Sequence, residues 1–221
     1  MDRSHQARGA GWHPLTPGQI LQMTRQRWHG DLELTGACFP NTLSCPNIVL
    51  QQGYRHEGRK YVEGQWSPPS IAAAVTKREL FPTFRDLLNH LGPTVGLIIE
   101  THVRRRTSHG RDRRYFYRKA IDRVVLESAL LDFEELLLTD GWTSIEVFDV
   151  RSNVGVALDE HKLLIVYAEN LTPSERVFVA RGVHPVENLR LIKDFCRLYG
   201  TDDTHYPLLK TLARRLHAKS V

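Results

Sequence analysis

Residues 144–168 read SIEVFDVRSNVGVALDEHKLLIVYA, and this stretch decides the fold class. Ser144 to Val150, Val154 to Leu158 and Leu163 to Ala168 are three short runs rich in β-branched and aromatic residues, which predicts three strands. The linkers are too short for a helical crossover, so neighbouring strands must run antiparallel. Asp159-Glu160-His161-Lys162 then reads as a polar turn closing a hairpin.

Working outward, Thr172-Pro173-Ser174-Glu175 is a capping box that opens a short helix ending at Gly182. Residues 186–199 fit either period. Leu208, Leu209, Leu212 and Leu216 stripe a last helix over about 207–217. On the other side, Asp140-Gly141 stops a long helix carrying Ile121, Val124, Val125, Leu131 and Leu138, and Trp142 reads as a core anchor at its corner. Before it, Val95, Leu97, Ile99, Thr101 and Val103 alternate with Gly96, Ile98, Glu100, His102 and Arg104, the signature of a strand. Arg113 to Tyr117 either begins the long helix or closes a hairpin with that strand.

The first 93 residues hold 8 of the 11 prolines, which marks them as loop-rich. Short helices are predicted over 16–28, 71–79 and, capped by Thr83, 84–91, with weak strands at 47–50 and 60–62. The expected architecture is therefore α+β. A loop-rich N-terminal region with short helices (1–93) precedes a core domain (94–221), in which a mostly antiparallel sheet packs with a long helix and C-terminal helices.

Composition excludes several classes. With 41% apolar and 25% charged residues the chain is ordinary for a folded protein. No apolar run is long enough to cross a bilayer, and residues 1–14 lack the apolar segment of a secretion signal. Three cysteines, Cys38, Cys45 and Cys196, fit free thiols in a reducing cytoplasm. Six residues separate the first two, against two to four in most structural zinc sites, so no metal site is read from them. Nucleotide-binding glycine motifs and the hydrolase elbow are missing, and no cofactor is called for.

Charge is the feature that points to a partner. The chain carries net +5, yet residues 101–123 alone carry nine basic and two acidic side chains, and eight of the nine are arginine. Residues 104–119 read RRRTSHGRDRRYFYRK. Guanidinium forks bind phosphates bidentately, and aromatic faces stack on unpaired bases. Arg104, Arg105, Arg106, Arg111, Arg113, Arg114, Tyr115, Tyr117, Arg118 and Lys119 are therefore the candidate nucleic-acid-binding or polyanion-binding residues, without catalysis. On the helical reading Arg113, Arg114, Arg118 and Lys119 would oppose the helix dipole, which a bound anion or a neighbouring carboxylate such as Glu100 would compensate.

Two alternatives stand beside this reading. Asp149 ends one strand and Glu160-His161-Lys162 leads into another, within a helix–strand–strand–strand–helix order over about 117–194. This resembles the D…(D/E)-x-K pattern of restriction-endonuclease-like nucleases. The resemblance implies Mg²⁺ held by Asp149 and Glu160, with Lys162 stabilising developing charge. The other alternative is a protein–protein interaction module whose basic segment docks on an acidic partner.

Overall fold

The structure is a computed structural model that describes residues 51–59, 61–62, 65–104, 111–191 and 204–221. The expected helix over 16–28, the strand at 47–50, all three cysteines and the two arginines Arg105 and Arg106 lie outside the described residues.

The three strands of the opening stretch form as expected: β7 (Thr143–Asp149), β8 (Gly155–Leu158) and β9 (Leu163–Tyr167). They sit at the centre of an eight-stranded sheet. Toward one edge, β9 pairs with β4 (Ser70–Ala74), and β4 with β1 (Gly53–Glu57). Toward the other, β7 pairs with β5 (Thr94–Arg104), β5 with β6 (Arg111–Asp122), and β6 with the short β10 (Lys219–Ser220). Every neighbouring pair is antiparallel. A separate small hairpin joins β2 (Tyr61–Val62) to β3 (Gln65–Trp66).

Alternation sorts the sheet into two faces. Ile71, Ala73, Val95, Leu97, Ile99, Ile145, Val147, Val156, Leu158, Leu164 and Val166 line one of them. Against it pack five helices: α1 (Lys77–Leu88), α2 (Arg123–Leu131), α3 (Glu134–Thr139), α4 (Thr172–Ala180) and α5 (His205–Arg215). The second face is built differently. Among the described residues it carries two small apolar clusters, one around Ala72, Ala74, Leu163, Leu189 and Leu191 and one around Ile98 and Tyr115, with no described helical residue in either. Between them lie buried carboxylates. Residues 53–93, grouped by composition with the loop-rich part, thus contribute two sheet strands and a helix to the same core as 94–221. Among the described residues no helix is long and apolar enough to cross a membrane.

Five local expectations change. The capping box expected at Thr172 does not form: Thr172 is the first residue of α4, Leu171 stands at the N-cap without a side-chain cap, and the Thr172 amide donates to Asn170 Oδ1 at 3.1 Å. The run over 71–74 is a strand: Ser70–Ala74 is flanked by β1 and β9 and its residues are buried on both faces, so pairing overrides the helix propensity of three alanines. The helix that follows starts at Lys77 and continues through Pro82. Thr83 lies inside it rather than capping it, and its hydroxyl donates back to the Glu79 carbonyl at 2.6 Å. Arg113 to Tyr117 closes a hairpin, and the helix begins only at Arg123, with Asp122 as its N-cap accepting from the Val124 and Val125 amides at 2.9 and 3.2 Å. Finally, the long helix is two. Leu136, Leu137 and Leu138 are all buried, which no straight continuation of one amphipathic face accommodates, and the chain turns at Asp132-Phe133.

Candidate polyanion interface and the neighbouring acidic cluster

The arginine segment is the far end of a ribbon. The ladder between β5 and β7 ends at Thr101 and Thr143, where His102 still donates its amide to the Trp142 carbonyl at 3.2 Å. The ladder between β5 and β6 continues, pairing His102 with Arg113, Val103 with Asp112 and Arg104 with Arg111. Two arginine positions thus face each other where the described ladder stops. On the outer side of β6, β10 pairs only with Phe116 and Tyr117, and Val221 donates to the Tyr115 carbonyl at 3.0 Å. Among the described residues no strand pairs with β6 over Arg111–Arg114 on that outer side, and a charged edge of this kind resists strand addition.

Not all of the candidate residues face outward. Arg114 and Lys119 are exposed. Arg118 ties the fold together, donating from Nε to the Ala120 carbonyl at 2.8 Å and from a terminal nitrogen to the His217 carbonyl at 3.5 Å, just past α5. Tyr115 is buried, and Tyr117 packs half-buried against the cluster of Ile98 and Tyr115. Phe116 leans on the helical core. The aromatic rings that looked available for stacking are largely consumed by folding. Arg113 lies between the two situations: half-buried, with Nε 3.1 Å from Glu100 Oε1.

That ion pair leads into the acidic cluster. Glu100 is opposite Ser144 in the register, so Glu146, two residues further along β7, is its diagonal neighbour on the same face. Glu160, in the turn between β8 and β9, completes the group, and all three are buried. Each has a compensating neighbour. Tyr167 hydrogen-bonds through its hydroxyl to Glu146, Arg113 pairs with Glu100, and Lys162 supplies positive charge near Glu160. Tyr167 reaches β7 only because β8 carries Gly155 directly between them. A Cβ there would overlap the tyrosine ring. Burial, followed by the charge of Glu160, drives the Glu100 pKa up to about 8 against the opposing pull of Arg113. Burial likewise raises Glu160. Glu100 Oε2 is buried with no hydrogen-bond partner. Among the described residues, no three His, Cys, Asp or Glu side chains are arranged to hold a metal ion.

The turn Asp159–Lys162 has the expected hairpin connectivity, with the Asp159 amide bonded to the Leu163 carbonyl at 3.0 Å. It is not solvated, however. Asp159, His161 and Lys162 are fully buried, and Asp159 Oδ1 gathers the His161 and Leu163 amides at 2.8 and 2.7 Å. Lys162, at φ 62°, donates from Nζ to the Thr143 carbonyl at 3.3 Å. Asp149 stands elsewhere. Its carboxylate accepts from the Gly92 amide at 3.1 Å and the Arg151 amide at 2.8 Å, at the opposite end of β7. Leu158, two residues before Glu160, already pairs with Ile145, four residues from Asp149, or ~13 Å at ~3.3 Å per residue. Asp149, Glu160 and Lys162 are therefore not brought together, and the convergence required by the nuclease alternative is not formed.

Sequence reasoning placed Glu100 only as a stray carboxylate and overlooked Glu146 and Tyr167. The available signal was a glutamate at an inward position in each of two apolar strands, together with a glycine in a third. A second buried polar group was also missed: Asp140 accepts from the Trp142 amide at 3.1 Å and from the Thr143 hydroxyl, and lies 3.3 Å from His205 Nδ1. No family model matches the chain, and comparisons with curated proteins and with solved structures find none similar to it.

Proposed function

We propose that this protein binds nucleic acid, or another polyanion, through the arginine end of the β5–β6 ribbon. The observation that carries the reading is the coincidence of the chain's one strongly basic segment with a two-stranded ribbon that continues past the end of β7, where no described strand pairs with the outer side of β6 over Arg111–Arg114. The binding residues are Arg104, Arg105, Arg106, Arg111 and Arg114, with Arg113 in reserve at Glu100; exposed Lys119, next to Arg118 opposite Leu97, stands at the other end of β6 and adds only to the reach of a long polyanion. Because Tyr115 is buried and Tyr117 half-buried, phosphate binding outweighs base stacking in this scheme. Such binding releases counterions, so affinity falls steeply with salt and depends little on sequence.

Fluorescence anisotropy with labelled single- and double-stranded DNA and RNA, at low and moderate salt and with or without Mg²⁺, tests the proposal. The expected result is salt-sensitive binding with the probe left intact. No binding even at low salt would remove it, and cleavage confined to Mg²⁺ would favour a nuclease instead. A protein partner is the second reading, favoured by Val124 and Val125, which are 67% and 57% exposed at the start of α2 immediately after the ribbon. It is distinguished by a complex that survives nuclease treatment of the lysate.

A further inference from the structure

We infer that protonation of Glu100 gates the arginine ribbon: the neutral carboxyl releases Arg113 to the polyanion, and the carboxylate holds it back. This rests on the proposed binding function and names its regulation. Arg113 is the one cation of the described part of the segment that pairs with a buried carboxylate, at 3.1 Å. Its partner cannot ionise cheaply. Around Glu100 stand Arg113 and Tyr115 on β6, Glu146 on β7 and Glu160 in the turn after β8, with His102 two residues along β5 on the same face. Two of those neighbours are buried acids. The second oxygen of Glu100, buried without a partner, is a place for a proton. The value of about 8 puts the change within reach of ordinary buffers.

The coupling is reciprocal. A phosphate that draws Arg113 away takes from Glu100 its paired cation, so binding raises its proton affinity, and a proton on Glu100 in turn favours binding. Affinity should fall as pH rises through the Glu100 transition.

The experiment measures anisotropy of a fluorescein-labelled DNA duplex at fixed ionic strength, near pH 7 and near pH 9, with wild type and Glu100→Gln. Gln has the shape of the protonated side chain and no charge to lose. Wild type is expected to bind about tenfold more weakly at the higher pH, within the usual range of coupling factors, whereas Glu100→Gln changes by less than about twofold. An equal loss in both proteins, or none in wild type, overturns the gate while leaving the binding site standing. Absence of salt-sensitive binding in both proteins at both pH values overturns the binding function, and the gate with it. A ligand-free check accompanies the assay. The Glu100 carboxyl carbon, followed by NMR, should titrate well above the ordinary carboxylate range, and a midpoint within that range also overturns the gate.

Discussion

Glu100 stands buried on β5 between Ile99 and Thr101, and its environment has a thermodynamic consequence that needs no ligand. Its folded pKa, about 8, lies above the ordinary carboxylate value, so the native state binds the proton more tightly than the unfolded chain does. The associated stability is fully present below the unfolded value and is lost as pH rises from there through about 8. Glu100→Gln should match wild type in urea denaturation near pH 4 and exceed it by a few kcal/mol near pH 9. Parallel stability profiles for the two proteins would contradict the assignment. Gly155 is the other decisive residue, since its missing side chain lets Tyr167 cross β8 to Glu146. Gly155→Ala should cost about 1–3 kcal/mol through overpacking, whereas Gly58→Ala, where a Cβ meets nothing within 4 Å, should be nearly neutral. Equal effects at the two glycines would refute the close-packing account. The sequence displayed the arginines plainly, but not which were already engaged. Arg113, Arg118 and Tyr115 carry the same letters whether they face solvent or are engaged within the fold.

Elements were legible where a single period governed them. The alternation of β5 and the three runs of β7, β8 and β9 are local properties, and they form close to the expected boundaries. The Ser70–Ala74 strand was illegible because its alanines favour helix locally and become a strand only through pairing with β1 and β9. The ambiguity at Arg113–Tyr117 had a physical resolution that composition hinted at. As a helix, the segment would have set four cations against the dipole. As a strand, it hands the helix start to Asp122, whose carboxylate both caps α2 and suits its positive end. Asp122→Ala is expected to lower stability by about 1 kcal/mol, read as a drop in Tm, while leaving the β5–β6 hairpin in place. A neutral substitution would remove the cap from the account. The charged turn Asp159–Lys162 shows the reverse limit. Its composition specifies a turn correctly, yet nothing in four adjacent residues reveals that the fold will bury them.

At the scale of the whole molecule, the fold separates duties. The helices cover one face of the sheet, the buried acids occupy part of the other, and the basic charge is carried on the ribbon along one edge. Most of the chain's excess positive charge comes from that ribbon, so removing part of it should alter binding without touching the core. The candidate site was therefore half legible: charge pattern is written in sequence, whereas the Glu100–Arg113 pair depends on a register that only pairing sets. The decisive measurement compares the salt dependence of DNA binding by wild type and by the triple variant Arg104→Ala, Arg105→Ala, Arg106→Ala, with circular dichroism to verify the fold. Removing one arginine that neutralises a phosphate should reduce the slope of log affinity against log salt by about 1. The expected result is a folded variant with a shallower slope and affinity reduced by at least ~10-fold. A folded variant with unchanged affinity and slope would contradict the claim that the ribbon is the binding site.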